Sequence, residues 1–269
     1  MPVNPGDIFS EERSDLSNFL IHLTKNGSYE IYNDYPYIPG HYKFERSSNL
    51  EADDSLRKIL KKDIPTLEAR APFGHFKFDI SIYSKVRRAV PLEWLRCVCF
   101  SETPLRELRS FYRSTQQTKQ QHIKLNSYQN FGLAFFADFL RKKNTHPLFY
   151  FDSRNESVYQ AVDKLADPQF LTSSRSLLPL FESFGPAKKS TARANSGEID
   201  FRWEREWRHV GDLQFQLSDI AFGLCPETRI EEFELLSKGH FPFIDPDWDA
   251  NTLSEYLISK GRKDLAEAL

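Results

Sequence analysis

The chain has 269 residues, of which 40% are hydrophobic and 14% aromatic, and this apolar fraction is enough to bury a sizeable core. Its 36 Lys and Arg nearly balance its 38 Asp and Glu, which leaves a formal charge of −2. This composition excludes a disordered chain, and the length argues against a repeat array. The nearly neutral net charge indicates neither a nucleic acid nor a membrane as partner.

Cysteine usage and hydropathy predict a cytoplasmic protein. Cys97, Cys99 and Cys225 are too few for a disulfide framework in a chain of this size. The densest apolar stretch, residues 131–137, is far shorter than the roughly 20 residues that a membrane-spanning helix needs. The amino-terminal segment also lacks the apolar core of a secretion signal, so we expect no membrane partner.

Several common sequence signatures of enzymes do not occur. The 11 glycines are too scattered for a dinucleotide or Walker loop, and there is no G-x-S-x-G, H-E-x-x-H or paired C-x-x-C motif. Residues 245–256 begin like a calcium loop, but Ala250 and Tyr256 stand where glycine and a bidentate glutamate are needed. We expect there a polar turn and a helix, with Asn251 near its cap and Gly261 after its end.

The first half of the chain gives mixed signals. Residues 12–26 have apolar side chains at helical spacing, but the cluster FLIHLT within them is also typical of a buried strand, and periodicity does not decide between the two. A basic helix is predicted over 56–67, and strands are predicted over 76–83 and 94–100. Thr103, followed by proline, is then expected to cap a helix.

Further along, strands are predicted over 131–135 and 147–152, with a short helix between them. Two helices are expected next, over 155–167 behind an Asn155 cap and over 170–184. A flexible loop at 185–197 follows by composition.

Beyond this loop, the residues from 199 to 210 alternate as in a strand, which places Glu204 and Glu206 on one face. After a turn at 211–212, residues 213–217 alternate back as a strand, and a last strand is predicted over 220–225. The mixture of elements predicts an α+β fold.

Three short motifs could carry chemistry, and each has a plainer interpretation. The paired carboxylates Glu204 and Glu206 could form a solvated ion-pair face. His22, in an apolar context, could be a hydrogen-bonded core histidine. The segment CFSETP, which contains Ser101 and Thr103, could be only a helix cap.

A basic stretch lies in the middle of the chain. Residues 104–143 contain eight Lys or Arg against two acidic residues. Arg141, Lys142 and Lys143, which are consecutive, are the candidates for binding nucleic acid, and a solvated basic surface is the alternative.

Taken in order, the motifs FLIHLT, CFSETPL, FGLAF, PLFYF, WEREWR and DIAFGLCP resemble the abortive-infection phage-resistance proteins of the AbiGi type. The resemblance spans roughly residues 17–235 and leaves 36–92 unaligned. The same motifs have a remote resemblance to the ADP-ribosyltransferase fold, in which split mixed or antiparallel sheets with flanking helices line an NAD cleft. The resemblance implies one such domain over 1–269, with an insertion at about 36–92 and an acidic helical extension at about 236–269.

The resemblance also implies roles for single residues. Glu206 would be the catalytic glutamate at the nicotinamide ribose, and Glu204 would act on the acceptor. His22 and Thr24 would hold the adenosine side of NAD, while Ser101 would support Glu206 and Thr103 would lie in the same cofactor site. We therefore expect His22, Ser101 and Glu206 to converge on one site, with NAD as substrate and no metal.

The activity implied is that of a toxin-like, NAD-dependent ADP-ribosyltransferase in phage defence, which modifies RNA, DNA or a protein and is paired with an antitoxin protein. Two alternatives stay open. The chain could be a non-catalytic antitoxin or regulator of a phage-resistance system. It could also be a nuclease in which Glu204 and Glu206 bind a divalent cation.

Overall fold

The computed structural model describes residues 17–25, 28–33, 42–48, 51–70, 95–113, 128–166, 176–185, 200 and 202–269. They form a mixed α+β structure, which confirms the predicted fold class at this level. The strands are β1 (Phe19–Lys25), β2 (Ser28–Asn33), β3 (Tyr42–Ser48), β4 (Thr66–Leu67), β5 (Cys97–Glu102), β6 (Tyr128–Phe136), β7 (Thr145–Pro147), β8 (Phe149–Asp152), β9 (Phe181–Phe184), β10 (Glu206–Val210), β11 (Leu213–Gln214), β12 (Ile220–Leu224) and β13 (Phe243–Ile244). The helices are α1 (Ala52–Leu60), α2 (108–113), α3 (Ala137–Lys142), α4 (Glu156–Asp163), α5 (Ile230–Leu236), α6 (Ala250–Ser259) and α7 (Lys263–Ala266).

A seven-stranded sheet organises the molecule, in the order β13-β12-β6-β1-β5-β10-β7. Neighbouring strands in it are antiparallel, except for the parallel pair β12 and β13. Smaller pairs join β2 to β3 and β4 to β11 in antiparallel fashion, and β8 to β9 in parallel. Strand β1 therefore lies in the middle of the large sheet, and β5 and β10 lie side by side next to it.

Both faces of this sheet are covered by apolar side chains. One face, here called the α1 face, buries Leu20, Leu56, Leu60, Phe100 and Phe135. The other, here called the α6 face, buries Phe19, Ile21, Phe222, Leu253 and Leu257. Because side chains alternate along a strand, burial on both faces requires nearly continuous apolar runs, such as FLI at the start of β1.

Several sequence-based expectations are confirmed and others are wrong. The segment left open at 12–26 contains a strand, β1, which pairs with β5 and β6 on its two sides. The helix predicted over 170–184 is wrong, because Leu178–Leu180 forms a 3-10 turn and Phe181–Phe184 forms β9. The strand predicted over 76–83 lies outside the described residues.

The helix ends show which caps the sequence identified. Asn155 caps α4, as predicted, by accepting a hydrogen bond from the backbone N–H of Val158. Asp249 caps α6, and Asn251, expected near this cap, is the second residue of the helix. The predicted cap at Thr103 is wrong, because the short 3-10 turn after β5 begins behind Pro104 without a capping side chain.

The carboxyl-terminal segment is built into the core. Its strand β13 extends the large sheet beside β12, and Leu253 and Leu257 of α6 are buried on the α6 face. None of the helices in the described part of the chain has the length and apolar character needed to cross a membrane.

Candidate active site

The candidate site lies where β5 and β10 run side by side. In their antiparallel register, Glu206 stands opposite Ser101, and Arg208 stands opposite Cys99. Directly opposed residues project to the same face of a sheet. Ser101 also stands opposite Ile21 in β1, so this set belongs to the α6 face.

Arg208 fixes the carboxylate of Glu206. Its Nε donates to Oε1 of Glu206 at 2.6 Å, and its Nη2 donates to Oε2 at 2.7 Å. Arg208 is 1% exposed and Glu206 is 8% exposed, so the pair is held away from bulk water. Two residues apart on one strand, these side chains share a face, which permits the bidentate contact.

Strand β9 and the turn before it complete the surroundings of Arg208. Nη1 of Arg208 donates to the carbonyl of Pro179 at 2.8 Å. A second buried carboxylate, that of Glu182, places its Oε2 3.5 Å from Nη2 of the same guanidinium. Two glutamates therefore flank one arginine in the interior.

Tyr150 of β8 joins this group. Its hydroxyl oxygen accepts a hydrogen bond from the backbone N–H of Glu206 at 3.3 Å. Burial raises the pKa of Tyr150 far above its ordinary value, and the negative charge of Glu206 adds to the effect. We call Tyr150, Glu182, Glu206 and Arg208 the Arg208 cluster.

Glu204 does not share a strand face with Glu206 as predicted. It belongs to a 3-10 turn, Arg202–Glu204, and the strand begins only at Glu206. Between the two glutamates, Arg205 has a φ of 44°, in the left-handed region, so the strand alternation does not extend back to Glu204. The charge of Glu204 nevertheless contributes to the raised pKa of Tyr150, which places the carboxylate near the cluster.

The first predicted NAD motif lies on the other side of the sheet. His22 stands opposite Leu133 and follows Ile21, so alternation directs it to the α1 face, where its ring lies 5.8 Å from that of Phe100. Nδ1 of His22 is 2.8 Å from the carbonyl oxygen of Cys99. The expected convergence of His22 with Ser101 and Glu206 is therefore not found.

Thr24 and Thr103 are both buried. Oγ1 of Thr24 lies 3.0 Å from the carbonyl oxygens of Ala52 and Phe131, so it ties β1 to α1 and β6. Thr103 directly follows β5, beyond Ser101.

The three candidate basic residues lie around the carboxyl end of α3. Arg141, Lys142 and Lys143 are all exposed. Nη1 of Arg141 donates to Asp138 at 2.8 Å, and the guanidinium lies 5.5 Å from the ring centre of Trp207. Trp207 faces the α1 side, so this basic group and the Arg208 cluster lie on opposite faces of the sheet.

Sequence reasoning missed Glu182, Tyr150 and Glu102. Glu182 lay in a segment predicted to be a helix, and nothing in the sequence alone joins it to a strand 24 positions later. Glu102 is buried on the α1 face, where its Oε2 accepts from Nε1 of Trp207 at 3.0 Å. Side chains two residues apart on a strand share a face, so the position of Glu102 two residues after the apolar Phe100 was the available signal that it lies on the α1 face.

Among the residues that the structure describes, no three His, Cys, Asp or Glu side chains lie close enough together to hold a metal ion. Comparison with protein-family models, with curated proteins and with solved structures gave no match.

Proposed function

We propose that the chain is a toxin-like ADP-ribosyltransferase of phage defence that uses NAD as substrate, and that its fold is an ADP-ribosyltransferase-like arrangement. The observation that supports this best is the opposition of Glu206 and Ser101 on adjacent strands, with Glu206 fixed by Arg208. Glu206 and Ser101 are the residues to which the resemblance to ADP-ribosyltransferases gives the catalytic and supporting roles. His22 and Thr24, which lie on the α1 face, are left out of the proposed site.

Breaking the bond between nicotinamide and ribose develops positive charge at the ribose carbon. A carboxylate held in place before the reaction stabilises that charge without the cost of reorganising. An ionised carboxylate has room for about four hydrogen bonds, so the bidentate contact with Arg208 is compatible with a ribose hydroxyl as a further donor. Arg208 thus orients Glu206, and Ser101 supports it from the neighbouring strand.

Glu204 has a different role in this proposal. It lies one turn before β10 and close to Tyr150, so it would accept the proton of the incoming nucleophile, on a nucleic acid or a protein. Its place outside the strand separates it from the charge-stabilising carboxylate.

The test is nicotinamide release from NAD by the full chain, measured chromatographically. Glu206→Gln keeps the shape but removes the charge, so we expect the rate to fall about 100- to 1000-fold. Glu204→Gln should reduce transfer to an acceptor more than it reduces NAD hydrolysis. Glu255→Gln, at an exposed site on α6, is the matched control and should leave both rates unchanged.

The rates are compared at a temperature at which each variant is folded by circular dichroism, since Glu206 is buried against Arg208 and its replacement lowers the stability. A wild-type chain that releases no more nicotinamide than a protein-free blank would refute the proposal.

A non-catalytic antitoxin or regulatory protein is the second candidate. The bidentate pair is equally compatible with this role, because buried arginine–glutamate pairs also occur as purely structural features. Growth on expression separates the two candidates. An enzyme toxin arrests growth unless Glu206 is changed, whereas an antitoxin does not arrest it and protects cells from a co-expressed toxin.

A further inference from the structure

Two thiols lie in contact on β5, on the same strand as Ser101, and the nearer one, Cys99, stands opposite Arg208. Cys97 and Cys99 are two positions apart on the strand, so both project to the same face. Their Sγ atoms are 3.9 Å apart. Cys97 is 3% exposed and Cys99 is half-buried, so a reagent from solvent reaches Cys99 first.

The third cysteine does not compete with this pair. Cys225 is completely buried at the end of β12, and burial raises the pKa of its thiol to about 12. It therefore stays protonated and unreactive at neutral pH, because the thiolate is the reactive form.

A regular strand holds Cys97 and Cys99 too far apart for a disulfide, because Cβ atoms two residues apart on one face are separated by about 6.6 Å and a disulfide needs about 3.5–4.5 Å. A disulfide here would form only with a local contraction of β5. Strained disulfides are readily reduced again, which is the property of regulatory rather than structural bonds.

We propose that Cys97 and Cys99 form a reversible redox site that reacts with peroxides. The thiolate of Cys99 attacks the peroxide O–O bond, takes up one oxygen as a sulfenic acid and releases hydroxide. The thiolate of Cys97 then attacks this sulfur and displaces a second hydroxide, which leaves a disulfide. In total, two thiols lose two electrons and two protons, and one hydrogen peroxide becomes two waters.

The proposal is independent of the proposed transferase activity. Its test measures the mass of one tryptic peptide by mass spectrometry. The reduced full chain is treated with hydrogen peroxide, alkylated and digested with trypsin, which places both cysteines on the single peptide 97–106. We expect this peptide to lack alkyl groups and to be about 2 Da lighter than the dithiol form. Dithiothreitol should restore two alkylation sites.

Variants test the order of the two steps. Cys97→Ser removes the second thiol, so Cys99 should accumulate at least about ten times more sulfinic acid than in the wild type. Cys225→Ser should leave the disulfide on peptide 97–106 unchanged. The synthetic peptide 97–106 shows that the peroxide dose suffices to oxidise these thiols.

Two outcomes would overturn the proposal. One is sulfinic acid at Cys99 with Cys97 still alkylated in the wild type. The other is full alkylation of both thiols at doses that oxidise the synthetic peptide.

Discussion

Arg208 is the side chain on which the interior of the candidate site depends. It is almost completely buried and contacts Glu206, Glu182 and the carbonyl of Pro179. Replacing it by an apolar residue would leave two buried carboxylates without the guanidinium. We expect Arg208→Met to lower the free energy of unfolding by about 3–5 kcal/mol, measured by urea denaturation.

Arg154→Met is the matched control for Arg208→Met. Arg154 pairs with Asp152 at an exposed position, where an ion pair contributes little to stability. If both variants lose the same free energy of unfolding, the buried Arg208 pair contributes no more to stability than the exposed pair.

His209 makes the stability depend on pH. It lies in β10 opposite Thr145, and burial lowers its pKa below the ordinary value of about 6.5. As the pH falls below about 6.5, the unfolded chain takes up a proton at this histidine before the folded chain does, so stability present at higher pH is lost. We expect the urea midpoint to fall between about pH 7.5 and about pH 5.5, and to fall less in His209→Gln.

The exposed His240 serves as control for the pH experiment. His240→Gln should show the same pH dependence as the wild type. A His209→Gln variant with the wild-type dependence would assign the effect to other groups.

At the level of single residues, the sequence identified part of the site. Ser101 and Glu206 were both candidates, and they do stand opposite each other. The sequence pattern wrongly places Glu204 and Glu206 on one strand face. The strand is interrupted at Arg205, which adopts a left-handed conformation that non-glycine residues seldom adopt and that the pattern does not predict. The face on which His22 lies also depends on register, which a single sequence does not give.

Among the secondary-structure elements, the parallel pair β12 and β13 depends on a glycine. A Cβ atom on Gly223 would overlap the ring of Phe243 in the neighbouring strand, and that ring is completely buried. We expect Gly223→Ala to destabilise the protein by about 1–3 kcal/mol, measured by urea denaturation, because the ring has no space to move aside.

A double variant identifies the cause of this loss. Phe243→Leu removes part of the ring, so Gly223→Ala should cost less in its presence, and the two losses should not add. Strict additivity of the two changes would show that the overlap is not the reason.

Element types were predictable where a single period dominates. Helix α4, with its Asn155 cap, and strand β12 agree with the pattern. The segment 176–184 was misassigned because short apolar runs have the same appearance in a buried strand and in a helix. Its pairing with β8, which brings Glu182 to Arg208, is a tertiary property that no local pattern contains.

For the whole molecule, the nearly neutral charge conceals an uneven distribution. The residues from 226 to 269 carry ten acidic and five basic side chains, whereas 104–143 is basic. Ion pairs join the two segments, since Arg109 and Arg113 both contact Asp247. Within the described part of this basic segment, Lys142 and Lys143 at the end of α3 are exposed.

If the acceptor is a nucleic acid, these exposed residues should contribute to binding. We expect Lys142→Glu with Lys143→Glu to weaken binding of an RNA oligomer and to lower the slope of log affinity against log salt by about 1–2 units. Filter binding over a salt series measures both quantities. Arg141 is left unchanged because it also packs on Trp207.

Lys263→Glu, at an exposed position in α7, is the control and should leave the salt slope unchanged. Equal affinities for all three proteins, or no measurable binding, would favour a protein or a small molecule as acceptor.

The order of strands in the large sheet also has a consequence for the rate of folding. Its central strands come from distant parts of the chain: 105 positions separate Glu102 from Trp207, which meet at the junction of β5 and β10. Pairing such segments closes long loops, and the entropy of the chain is lost before the new contacts compensate for it. Chains with many contacts between distant residues therefore fold slowly. The Arg208 cluster needs β8, β9 and β10 in place, so it forms only after this slow step. Until then, the charged side chains that it buries remain hydrated.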